Sequence, residues 1–111
     1  MNASKKFYDL NGYFMPIKAI PKQMANDAAI KLKKISNNPN PKIKHPWNLQ
    51  AHLLSKWIYD ICTYPKVLDS IEKIIGPNIL IQSADIFIKP ANGKKHINWH
   101  QDANYWGLDP Y

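Results

Sequence analysis

Ile79-Leu80-Ile81-Gln82-Ser83-Ala84-Asp85-Ile86-Phe87-Ile88-Lys89 carries the fold reading. Ile79, Ile81, Ile86, Phe87 and Ile88 bring β-branched and aromatic side chains together, and these residue types favour a strand over residues 78–89. Pro90-Ala91-Asn92-Gly93 reads as a turn, and a second strand is expected from about residue 96 to 102. Upstream the pattern becomes helical. Pro65 stands where a helix can begin, and Val67, Leu68, Ile71, Ile74 and Ile75 supply its apolar face. Asp69 and Lys73 are spaced for an i,i+4 pair, and Gly76-Pro77 is a stop. Before it, a helix is expected from Asn48, where Leu49, Leu53, Trp57 and Ile61 recur every fourth residue, Leu54 and Ile58 widen the stripe, and Trp57 is a core residue. Pro21 is placed to open an earlier helix carrying Met24, Ala28, Ile30, Leu32 and Ile35, and residues 13–17 read as a short extended lead-in. Asn37-Asn38-Pro39-Asn40-Pro41, continued by Lys42, Lys44 and Pro46, is a polar loop. Helices first and strands second give an α+β order.

A length of 111 residues suits one small domain. No run approaches the roughly 18 apolar residues of a membrane helix. The stretch 7–20 is broken by Asp9, Asn11, Gly12, Pro16 and Lys18, so it lacks the apolar core of a secretory signal. Cytoplasmic residence is the default expectation. The lone Cys62 cannot form an internal disulfide and reads as a packing residue. The net charge of +7 comes from 15 lysines and no arginine. With the lysines scattered, the charge alone argues weakly for nucleic acid, and no guanidinium is present to grip a carboxylate in bidentate fashion.

Trp99-His100-Gln101-Asp102 carries the chemistry. On a strand, His100 and Asp102 would share a face while Gln101 pointed away. Imidazole plus carboxylate, completed by a second histidine, is the donor set of non-haem Fe(II) oxygenases, which leaves three coordination positions open. The pattern by itself is weak, since this composition yields about a quarter of a match by chance.

The flanks strengthen it. Ala51-His52-Leu53-Leu54, Pro65-Lys66-Val67-Leu68-Asp69-Ser70-Ile71-Glu72, Gly76-Pro77-Asn78-Ile79-Leu80, Phe87-Ile88-Lys89-Pro90 and Trp99-His100-Gln101-Asp102-Ala103-Asn104-Tyr105-Trp106-Gly107-Leu108-Asp109-Pro110 occur in one order. Together they resemble bacterial members of the phytanoyl-CoA dioxygenase family, most specifically in the last twelve residues and least before Trp47. The resemblance implies N-terminal helices, about residues 1–77, followed from about 78 to 111 by the first strands of a double-stranded β-helix, or jelly roll. The chain would then be a single partial domain, an N-terminal fragment of a 2-oxoglutarate-dependent hydroxylase. It further implies Fe(II) as cofactor, 2-oxoglutarate and O2 as cosubstrates, and a small organic substrate. His100 and Asp102 match two iron ligands of the family, whereas its distal histidine and its 2-oxoglutarate-binding arginine would lie beyond residue 111. Related halogenating enzymes have a small residue in place of the carboxylate ligand, so Asp102 favours hydroxylation. Gln82, Ser83 and Lys89 stand where some family members contact 2-oxoglutarate.

Other residues read more plainly. His96, beside Lys94 and Lys95, is expected in solvent; Trp99 and Ile97 are expected to pack; Tyr105 and Trp106 belong either to the core or to the mouth of the site. His45 and His52 show no recognised zinc spacing. The rival from another class is a small basic binding module for nucleic acid or another acidic surface, without catalysis. A third possibility is a fragment completed by another chain.

Overall fold

The computed structural model describes residues 3–37, 50–89, 91–94, 96–107 and 109. Among these residues the regular elements are six helices: α1 (Ala3–Asn11), α2 (Lys22–Asn37), α3 (Ala51–Leu54), α4 (Lys56–Cys62), α5 (Pro65–Ile75) and α6 (Ala103–Trp106). Most of the expected polar loop, the expected start of the second helix at Asn48 and Leu49, His45, and Pro90 of the expected turn lie outside the described residues.

The helix boundaries follow local chemistry. In α2 the Ala25 amide donates to the Pro21 carbonyl at 3.1 Å, so Pro21 opens the helix as its fixed φ predicts. Met24, Ala28, Leu32 and Ile35 are half-buried, whereas Ile30 faces solvent. In α5, Pro65 occupies the first turn and Gly76 ends the helix at φ 90°, its amide returning to the Glu72 carbonyl at 2.9 Å. Helix α1 was not expected. It is supported by a Lys5–Asp9 ion pair at 2.8 Å and is closed by Gly12, whose amide donates to the Tyr8 carbonyl at 2.7 Å with φ 76°.

Two expectations need correction. The single helix through residues 49–61 is broken at Ser55, which adopts φ −143° and ψ 112° between α3 and α4. Serine is a poor helix-interior residue and a good helix starter, and the Ile58 and Tyr59 amides both turn back to its carbonyl. The second correction concerns the fold class: the described residues contain no strand, so the α+β expectation with jelly-roll strands over 78–102 is overturned in favour of a helical chain. A β-rich composition makes a strand only when a partner supplies a ladder. Here the bond that ties residues 78–89 to the helices runs from the Ala51 amide of α3 to the Ala84 carbonyl, 3.0 Å. That segment passes the end of α5 and α3 before Phe87, Ile88 and Lys89 come beside Ala29, Leu32, Lys33 and Ser36 of α2.

Packing is sparse. Helix α3 meets α4, α4 meets α5, and α1 meets α5, with Phe7 set edge-on to Tyr13 and Phe14 at about 5.8 and 5.9 Å. Among the described residues only Ala51, His52 and Ile58 are buried. Trp57, expected in the core, is half-buried with the Lys31 ammonium 5.5 Å from its ring centre. The radius of gyration is 16.1 Å, against roughly 13 Å for a compact domain of this size. The accessible surface is 9878 Å² for 12.8 kDa, where a compact monomer would expose roughly 6,300 Å². Leu80, Phe87 and Trp99 contribute to that excess as exposed apolar side chains. No helix among the described residues is long and apolar enough to cross a membrane.

Candidate metal-binding site

The site forms where the irregular segment after the Asn92 turn runs into α6. Asp102 immediately precedes α6 in helical geometry, φ −61° and ψ −34°, and the Tyr105 amide donates to its carbonyl at 2.9 Å. A residue here usually spends its carboxylate on capping the helix amides. Asp102 does not: its side chain makes no cap bond, and Oδ1 lies 3.1 Å from His100 Nε2. The turn thus brings the two residues together by a route other than the expected strand.

The other nitrogen of His100 is also committed. Nδ1 lies 2.7 Å from the Asn98 carbonyl oxygen, and because a carbonyl can only accept, Nδ1 carries the proton. This leaves Nε2 as the nitrogen available to a metal, and a backbone carbonyl on the far nitrogen is the usual support of a metal-binding histidine. The ring of Tyr105 stands edge-on to the imidazole at 6.3 Å between centres. The Asn98 bond raises the His100 pKa above its ordinary value, and the Asp102 charge and hydrogen bond add to it, against partial desolvation acting the other way.

The geometry accommodates a cation in part. Two donors at right angles, each about 2.1 Å from an ion, stand about 3.0 Å apart, and the Nε2–Oδ1 separation of 3.1 Å is close to that. The described residues supply no third donor and contain no cluster of three or more His, Cys, Asp or Glu side chains placed for a metal. The residues present therefore fit two adjacent positions of a coordination sphere and leave the rest to other donors.

The remaining candidates lie elsewhere. The hollow around the pair is walled by Ile97, Asn98, Trp99, His100, Asp102 and Tyr105, and Gln82, Ser83 and Lys89 are exposed and do not line it. His96 is exposed, as expected. Trp99 and Ile97, expected to pack, are instead exposed, Trp99 completely, because no second layer among the described residues covers this segment. Tyr105 lines the site. Cys62 is half-buried, and burial pushes its thiol pKa up against the lowering effect of a backbone hydrogen bond, which suits a packing residue. Sequence reasoning missed the role of Asn98, since a carbonyl acceptor leaves no mark in residue identity, and it missed the burial of His52. No protein-family model, curated protein or solved structure matches this chain.

Proposed function

We propose that the chain is the N-terminal part of a non-haem Fe(II)- and 2-oxoglutarate-dependent dioxygenase that hydroxylates a small organic substrate. The observation that carries the reading is the His100–Asp102 pair, with Nε2 and Oδ1 3.1 Å apart and the opposite ring nitrogen tied to the Asn98 carbonyl. It rests on that pair and on the motif around it, and requires no sheet in the described residues. When bound, iron supplies the oxidative chemistry, coupling decarboxylation of 2-oxoglutarate to hydroxylation of a C–H bond. The chain's own contribution is to hold the imidazole in one tautomer and to present a carboxylate not consumed by helix capping. Tyr105 shields one side of the ring. The open apolar surface supports the partial-domain reading, because a helix set exposing this much surface gains from covering by further structure.

Anaerobic titration with Fe(II), read by paramagnetic broadening of NMR signals, tests the reading. Broadening should centre on His100, Asp102 and Tyr105 and disappear in His100→Ala. With 2-oxoglutarate added, the chain alone should show neither the usual charge-transfer absorption nor turnover, since the described residues offer no third ligand and the sequence holds no arginine. Broadening that ignores His100→Ala, or full turnover by the isolated chain, would contradict it.

A further inference from the structure

A second hollow, about 690 Å³, lies between α2 and the segment 87–89, and it shares no lining residue with the His100–Asp102 site. Its volume falls within the roughly 300–1,000 Å³ typical of small-molecule sites. The α2 wall is Ala29, Leu32, Lys33 and Ser36, spaced i, i+3, i+4 and i+7 and so on one face of the helix, and the opposite wall is Phe87, Ile88 and Lys89. Ala29, Leu32, Phe87 and Ile88 are apolar, Ser36 offers a hydroxyl, and the charged side chains are both lysines. Lys33, Ser36 and Lys89 are exposed, so their polar ends are reachable from solvent. Neither lysine makes an ion pair or a side-chain hydrogen bond among the described residues.

We infer that this hollow binds an aromatic acid, a flat apolar ring system carrying one anionic head. Charge selects the head: Lys33 and Lys89 attract an anion, the Ser36 hydroxyl donates to it, and no lining carboxylate opposes it. A cationic head meets two ammonium groups and is repelled. A second copy of this chain is disfavoured on the same ground, because each copy brings a net charge of +7. The walls select the body. Phe87 gives a ring to pack against edge-on or offset, and Ala29 on the facing helix is small enough to let a flat ring approach. In an open hollow few walls hold a ligand, so a rigid ring, which loses little internal freedom on binding, gains over a flexible alkyl chain of equal area.

Titration of the full chain with 2-naphthoate, with 2-naphthylmethylamine and octanoate as parallel arms, tests this through the NMR signals of the Phe87 ring and of the Ala29, Leu32 and Ile88 methyls. Naphthoate should shift all of them saturably and bind more tightly than the amine, which reverses the charge, and than octanoate, which lacks the ring. Lys33→Gln and Lys89→Gln should each weaken it about threefold, the size of an exposed ion pair, and raised salt should weaken it too. Phe87→Leu, which keeps an apolar side chain but removes the ring, should weaken it about fivefold. All three side chains are exposed, so the substitutions leave the fold intact. Equal affinity for the amine or for octanoate, unchanged affinity in both lysine variants or in Phe87→Leu, or equal shifts at Trp99 and Leu80, exposed apolar side chains outside the hollow, would overturn the inference.

Discussion

Asp102 Oδ1 stands 3.1 Å from His100 Nε2 on a turn, while the Asn98 carbonyl holds the opposite ring nitrogen. Two acceptors on one imidazole stabilise its protonated form, so a proton would compete with the proposed metal for the Nε2 lone pair. The pH response follows from that competition. His100 should titrate above about 6.5, and Asp102→Asn should lower the midpoint while leaving it raised, because the Asn98 bond is the largest cause and exceeds the opposing desolvation. The stabilisation from the raised pKa is present in full below the unfolded value and is lost as pH climbs through the folded value. Fe(II) affinity should rise over that same upper window. NMR titration of the His100 ring, with and without metal, measures both.

Gly76 ends α5 at φ 90°, and a Cβ built there meets nothing within 4 Å. Any penalty for substitution is therefore conformational and not a clash. Gly76→Ala should cost about 1–2 kcal/mol in urea denaturation, and an unchanged midpoint would show that the end of α5 contributes nothing to stability.

Ile58 is one of two buried apolar residues described, and it lies in α4 between α3 and α5. Ile58→Ala should lose about 2–3 kcal/mol. Ile30→Ala, at a position 67% exposed on α2, should stay within about 0.5 kcal/mol. Thermal melts of the two variants separate a real core contact from mere hydrophobicity.

His52→Leu replaces a buried imidazole, whose Nδ1 has no partner among the described residues, by an apolar side chain of comparable size. Stability, read in thermal melts, should be unchanged or rise by about 1 kcal/mol. A large destabilisation would mean that the imidazole has a structural partner in solution.

The parts legible from residue order were those whose cause is local. Pro65 and Gly76 bracket α5, and Pro21 opens α2, because proline and glycine act on their own backbone angles. Helix α1 also carries local signals, the Lys5–Asp9 spacing and the Asn11-Gly12 stop. Trp57 and Trp99 show the opposite case: both looked like core residues, yet one is half-buried beneath Lys31 and the other fully exposed. Burial depends on what covers a side chain, and that cannot be counted from its own neighbours in the chain.

Local order was enough to place the His100 and Asp102 side chains within reach of each other, since side chains two positions apart can meet whether the backbone is extended or turning. It was not enough for residues 78–89, where a strand-like composition lies against the helices with Ala84 bonded to α3, because a ladder needs a second strand. Tertiary structure likewise supplied the Asn98 carbonyl that sets the His100 tautomer and the burial that leaves His52 Nδ1 without a partner among the described residues. Those outcomes depend on backbone groups and on walls contributed from elsewhere in space, whereas helix caps and donor spacing are properties of a few adjacent residues.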